Sequence, residues 1–390
     1  MKTNLIAPFV LASIAALSLA GCSKEPAASQ PTAGSQPAPA AESGLSKIKV
    51  GYIGLTCEAP LFTAFENGFF KEEGLDVEFV KCEWAQYKDA LALGSFDVTH
   101  HLIMMFLKPL EQGMDVKITA GVHTGCLRVQ TGADSAITKV TDLKGKKIGV
   151  PGMGTPPFIF ANRALGDAGV DASKDVEWRA YPAGELGLAL SKGEVDAIAT
   201  SEPIGTMLLA DGKVKNVVDQ AKDEPYAHEY CCAVIANGAF AAKNPDLTAK
   251  ATRAILKGAK WVQMNPRAAA QMSVEKKYLA SNPELNTSAI GNLNYMPSIS
   301  GGEAAILTAA TAMKAAGMLQ PTTDIEELSK RAWLPLPGIT DQWVADLKVE
   351  KVAMGQIPDD QPERLLAELG KTRENMTVAT CCAKASKVKM

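Results

Sequence analysis

The sequence predicts an α/β fold made of two similarly built halves. Three observations carry that expectation. The chain has 390 residues, more than one hydrophobic core normally organises. From Lys47 onward, short β-rich runs alternate with helical stretches, the pattern of a parallel sheet with helices on its faces. A loose echo also recurs: Ala90-Leu91-x-x-Gly94-x-x-Asp97 against Ala189-Leu190-x-x-Gly193-x-x-Asp196. Each copy reads as a helix end, a glycine stop and the start of a strand.

The elements follow in order. Lys2 precedes an apolar run from Leu5 to Ala20 interrupted by Pro8, the length of an export-signal core and short for a membrane span. Residues 1–21 are therefore expected to be a signal peptide. Lys24 to Ser46 is built of Ala, Pro, Ser, Gln and Gly, a composition that makes a flexible tether over 22–46. Ile48 to Ile53 alternates as a strand. Ala59 to Gly68 reads as a helix with Leu61, Phe62 and Phe65 on one side. Leu75 to Val80, Tyr87 to Leu93 and Phe96 to Thr99 continue as strand, helix and strand. Lys147 to Val150 opens a second series, with a helix over Phe158 to Leu165 and a strand over Val195 to Ala199. Leu247 to Leu319 is alanine-rich and helical, and Trp333-Leu334-Pro335-Leu336-Pro337 is an irregular wrap. Residues 341–390 form a C-terminal extension, whose polar, cationic end carries Cys381-Cys382 and reads as a frayed terminus.

Composition narrows the function. Hydrophobic residues make up 47% and charged residues 21% of the chain, values of a folded globular protein rather than a disordered one. Forty basic residues face 43 acidic ones, a net charge of −3, so nothing is in excess to neutralise a phosphate backbone and no nucleic-acid partner is expected. The only long apolar run is the N-terminal one. Neither a GxSxG nor an HExxH pattern occurs, and the chain is read as a binder rather than an enzyme.

Several segments resemble known families. Leu19-Ala20-Gly21-Cys22 resembles the lipobox of bacterial lipoproteins, in which the cysteine carries a diacylglycerol. Gly51-Tyr52-Ile53, followed by Asn67-Gly68-Phe69-Phe70-Lys71-Glu72-Glu73-Gly74-Leu75-Asp76-Val77, resembles the first strand–helix–strand of periplasmic substrate-binding proteins. Asp142 to Pro151 and Gly193-Glu194-Val195-Asp196-Ala197 resemble their second-lobe motifs. The nearest branch is the nitrate, sulfonate, taurine and thiamine-precursor binding group of ABC importers.

The resemblance implies a two-lobe, type II-like periplasmic-binding-protein fold that closes over a small molecule. Lobe one would take 47–130 plus 235–340, and lobe two 131–234. It further implies an ABC permease as partner, anchorage to the lipid bilayer through acylated Cys22, and a place on the periplasmic or outer face. A related pyrimidine-precursor synthase branch shares the fold with a cysteine-rich segment and iron. A thiol- or metal-dependent enzyme, and a metal-binding sensor or metallochaperone, are thus the alternative readings.

Open α/β folds bind ligands at the carboxyl ends of their strands. Read that way, the strand ends bring Cys57; Cys82 with Trp84; Thr99 with His100 and His101; and His123 with Cys126. The run returning to lobe one holds His228-Glu229-Tyr230-Cys231-Cys232, and strand alternation lets only one of the two cysteines face the cleft. If a helix begins at the paired histidines, His100 and Met104 share a face, as do His101 and Met105. Lobe two offers Thr155 in the turn Gly152-Met153-Gly154-Thr155 at a helix N-terminus, and Glu202 before Pro203. The expected ligand-binding set is Cys57, Cys82, Trp84, Thr99, His100, Cys126, Thr155, Glu202 and Cys231.

Three chemistries fit these residues. Buried cysteines and histidines serve as core. Disulfides persist outside the cytoplasm, and the eight cysteines less Cys22 leave seven, an odd number. A soft metal ion is the third, as the ligand rather than a fixed cofactor, with Cys57, Cys82, His100 and Cys126 as donors and no compact CxxC pair among them.

Overall fold

The computed structural model describes residues 44–352. The export signal, Cys22 and Cys381-Cys382 lie outside the described residues. The first run contains β1 (Ser46–Tyr52), α1 (Ala59–Glu66), α2 (Phe69–Glu72), β2 (Leu75–Lys81), α3 (Tyr87–Ala92), β3 (Val98–Leu102), α4 (Met104–Glu111) and β4 (Val116–Thr124). The second contains β5 (Leu127–Gly132), β6 (Lys147–Val150), α5 (Pro156–Asp167), β7 (Glu177–Ala180), α6 (Leu186–Ser191), β8 (Ala197–Ser201), α7 (Ile204–Ala210) and β9 (Val214–Asp219). The third is β10 (Tyr230–Asn237) followed by α8 (Gly238–Lys243), α9 (Pro245–Met264), α10 (Pro266–Glu275), α11 (Pro283–Gly291), α12 (Ile299–Ala315), α13 (Ile325–Ala332) and α14 (Asp341–Asp346).

Two five-stranded sheets result, ordered β2-β1-β3-β10-β4 and β7-β6-β8-β5-β9. Position by position they repeat one plan. In the first, β1 pairs in parallel with β2 and β3, and β10 runs antiparallel to β3 and β4. In the second, β6 pairs in parallel with β7 and β8, and β5 runs antiparallel to β8 and β9. The expectation of parallel sheets is therefore corrected: one strand in each sheet runs against the rest. Both reversed strands immediately follow a passage between the sheets, Gly125-Cys126 before β5 and residues 220–229 before β10. A strand that arrives from the other sheet enters from the opposite end, and reversal is the short way in.

Some boundaries moved. The strand expected to end at Thr99 continues through His100 and His101 to Leu102, so the two histidines point to opposite faces. A helix follows at Met104, and His101 Nε2 still reaches Met105 Sδ at 3.2 Å. The strand read as 195–199 runs two residues later. The alanine-rich stretch divides into four helices; three of them open with Pro245, Pro266 and Pro283 at the first turn, where the missing N–H costs nothing. No helix among the described residues is long and apolar enough to cross a membrane.

Backbone contacts fix the packing over β4. A Cβ at Gly302 of α12 would lie 2.1 Å from the Gly121 nitrogen, so this crossing requires glycine. The segment leading into α12 then pairs with β4 through Gly121 N to Ser298 O (2.9 Å) and Thr124 N to Asn294 O (3.1 Å).

Candidate functional site

At the carboxyl end of β1 the backbone turns sharply. The N–H groups of Ile53, Gly54 and Leu55 donate to the Glu58 carboxylate at 2.9, 2.7 and 2.8 Å. This knot, just before α1, carries Cys57 inward from β1, and both Cys57 and Glu58 are buried. Three N–H donors favour the Glu58 anion, yet burial outweighs them and pushes its pKa up to about 7.

Cys57 meets residues from the middle of the first sheet. The ligand atoms of Cys57, Cys126 and Cys232 lie within 4.8 Å of one another, and so do those of His100, His123 and Cys232. Two triads thus share one sulfur, and all five side chains are buried. Pairing explains the assembly. Leu102 of β3 lies opposite Cys232 of β10, and His123 of β4 opposes Cys232 on the other side. The rings of His100 and His123 stand 5.2 Å apart, edge to face. Cys126 follows in the Gly125-Cys126 passage, where Gly125 has φ +71°.

The register of β10 against β4 slips around Cys232, a bulge that sets aside strict alternation. Cys231 Sγ consequently lies 3.7 Å from Cys232 Sγ and 3.6 Å from His123 Nδ1, so both cysteines reach the cluster. The expectation that only one of them faces inward is corrected. All five cysteines among the described residues are free thiols.

The electrostatics are those of a dry donor set. S–H groups of Cys231, Cys232 and Cys57 converge on Cys126 and hold its thiol well below the ordinary range, while burial pushes Cys231 and Cys232 up. Burial likewise lowers the three histidines, with His101 down to about 3, so their rings are neutral at pH 7. Both nitrogens of His100, and Nε2 of His123, are buried without a hydrogen-bond partner. Such orphaned atoms are uncommon in folded interiors and call for a physical reason.

Other expected residues stand elsewhere. Cys82 follows directly after β2, the edge strand of its sheet, and is half-buried outside both triads. Trp84 is half-buried with its ring 5.5 Å from His101. Thr99 faces away from His100, sharing a 2.6 Å hydrogen bond with the Tyr87 hydroxyl and donating to Gly51 O at 3.0 Å. Thr155 donates to Gly152 O at 2.6 Å. Glu202 is buried, and its carboxylate pairs with Arg128 at 2.6 Å while accepting from the Thr206 N–H and hydroxyl at 3.0 and 2.9 Å. Its carbonyl, rather than its carboxylate, touches the Cys57 segment, accepting from Thr56 N at 3.4 Å.

Reading strand ends alone left out several contributors. Arg128 lies two residues after Cys126, buried between Glu202 and Asp219, and donates from Nε to Asp219 at 2.9 Å. The period-two offset from Cys126 was the available signal. The Tyr295 ring lies 5.0 Å from His123, tilted by 50°, and its hydroxyl donates to Thr56 O at 3.1 Å, while Thr56 Oγ1 donates to Asn286. These covering residues come from the helical region, where nothing in the sequence marks them.

Comparison with known proteins places the chain in a family. The sequence profile described as NMT1/THI5 like matches residues 56–269. The nitrate/nitrite binding protein NrtA of Nostoc sp. (strain PCC 7120 / SAG 25.82 / UTEX 2576) is 27% identical over 186 residues, 42% of this chain and 42% of the relative. The 4-amino-5-hydroxymethyl-2-methylpyrimidine phosphate synthase of Aspergillus parasiticus is 26% identical over 246 residues, 58% of this chain and 68% of that enzyme. The chain thus spans less than half the length of the NrtA relative. Among solved structures, the alkanesulfonate-binding protein SsuA from Xanthomonas axonopodis pv. citri, bound to MOPS, superposes with a TM-score of 0.62 at 17% identity, covering 75% of this chain and 100% of that one. At that identity the likeness is one of fold, and the fold is that of the periplasmic binding proteins.

Proposed function

Because the chain belongs to the NMT1/THI5-like family, we propose that it is an extracytoplasmic solute-binding receptor that captures a small solute and delivers it to an ABC permease. The observation that carries this reading is the position of the buried donor set. It lies at the carboxyl end of β1 and within β3, β4 and β10 of the first sheet, beside both passages that join the two sheets, the end of an open α/β sheet at which ligands bind. Relatives named for binding nitrate and alkanesulfonate support a transport role. In this reading lobe one carries the first sheet and lobe two the second, which moves the expected bounds of 47–130 plus 235–340 and of 131–234 to the passages before β5 and before β10; 341–390 is an extension, and Cys22 carries the lipid that tethers the exported protein to the bilayer.

A second reading, a thiol- or metal-dependent enzyme, is favoured by the relative named as a pyrimidine phosphate synthase and by the thiol–imidazole cluster itself. One experiment separates the two. Gently purified full-length protein is opened under denaturing conditions, and the released contents go to mass spectrometry and elemental analysis. A receptor releases one unaltered solute in stoichiometric amount. Recovery of a chemically altered product after incubation with that solute would favour the enzyme.

A further inference from the structure

We propose that Cys57, Cys126 and Cys232, backed by His100 and His123, bind a thiophilic d10 metal cation, of the kind represented by Zn(II) and Cu(I). The inference names the ligand class for the junction site and rests on the receptor reading.

Three independent features point to it. The first is donor chemistry: thiolate and imidazole together select soft and borderline cations over calcium or magnesium. The second is distance. Zinc sits about 2.3 Å from thiolate sulfur, so two sulfurs on one tetrahedral ion are roughly 3.8 Å apart. Each triad already holds its ligand atoms within 4.8 Å of one another, so inward movement of about 1 Å or less closes a coordination shell around Cys232, the shared sulfur. The third is the unpartnered nitrogen. His100 is fully buried with neither ring nitrogen bonded, and His123 Nε2 is likewise orphaned. A cation bound through the one lone pair of each neutral ring removes that ring's acceptor cost, and a hydrocarbon core of the same shape would not require histidine there.

The surroundings suit a cation. The buried Glu58 carboxyl adjoins Cys57, and the nearby Arg128 guanidinium is already matched by Glu202 and Asp219. Cys231 Sγ, 3.6 Å from His123 Nδ1, supplies a further sulfur at the rim of the triads. Cys82 stands outside both triads, which makes it the internal control.

The test uses the full-length chain, reduced and freed of metal by chelator, then titrated with Zn(II) alone and, anaerobically, with Cu(I) alone. Binding is read by elemental analysis after competition with a chelator, and by loss of reactive thiols. Wild type is expected to retain one equivalent, and Cys82→Ser to behave identically. Cys232→Ser, which removes the shared sulfur, and Cys126→Ser are expected to lose retention, with a cooperative metal-free melting transition showing that each still folds. Cys57→Ser provides a third probe should either of these fail to fold. Retention undiminished in all three variants, no retention by reduced wild type, or thiols already locked as disulfides would overturn the proposal. Failure of the receptor reading looks different: the metal binds but the molecule does not compact.

Discussion

Arg128 is buried between two carboxylates, and the balance among the three sets a measurable pH dependence. Arg128 pairs with Glu202 at 2.6 Å and Asp219 at 2.9 Å. Burial nevertheless dominates at Glu202 and lifts its pKa from 4.5 to about 6, against the pull of Arg128 and the Thr206 donors. The folded state therefore holds this proton more tightly than the unfolded chain. Its stabilising contribution is full below pH 4.5 and is lost as pH rises through about 6, a change of about 2 kcal/mol. Urea unfolding at pH 4.5 and pH 7 should show that loss in wild type and a smaller one in Glu202→Gln. Equal slopes in the two proteins would mean that Glu202 does not titrate in this window. Cys57, Cys126 and His100 were legible as strand-end residues. Cys82 was not separable from them, because strand order across a sheet leaves no mark in the local pattern and only pairing puts β2 at the edge. Cys232 in place of Cys231 alone was equally hidden, since a bulge changes register without changing composition.

At the scale of elements, the tightest constraint is the crossing of α12 over β4. With Gly302 against the Gly121 backbone, a single methyl has nowhere to go. Gly302→Ala should cost about 3 kcal/mol or more and lower the melting temperature by several degrees. Gly317→Ala offers a contrasting site: its φ is +71° but nothing lies within 4 Å, so the cost there is backbone strain alone. If Gly302→Ala proves the milder of the two, the packing of α12 on β4 has been misread. Strand and helix alternation was readable because periodicity follows burial. Strand direction was not, because β5 and β10 look like any buried strand and their reversal comes from arriving out of the opposite sheet. The proline-started helices within 247–319 were marked by Pro266 and Pro283, which the alanine-rich composition masked.

For the whole molecule, the account requires two sheets that separate to admit a solute and approach to hold it. Contacts between the two halves are both polar and apolar: Thr56 N donates to Glu202 O at 3.4 Å and Asn292 Nδ2 to Thr206 Oγ1 at 3.2 Å, while Gly166 of α5 packs against Ala316 at the end of α12. Opening must also expose this apolar seam, and the buried imidazoles at the centre leave open bonding capacity for a ligand to satisfy. A ligand can shift an open–closed equilibrium only by its differential affinity for the two states, and because the thiols and imidazoles all stand on the first sheet or its exit, that difference must come from groups of the second half such as Arg128 and Glu202. The two-half plan was visible in the repeated Gly-x-x-Asp motif, and each copy has the same role in the structure: Asp97 accepts from Lys49 N at 2.7 Å and Asp196 from Lys147 N at 2.8 Å. The most direct test is small-angle scattering on the full-length protein, first freed of ligand and then saturated with the solute or cation recovered from it. The account predicts a smaller radius of gyration at saturation, reversed when the ligand is removed; an unchanged radius at full occupancy would contradict it.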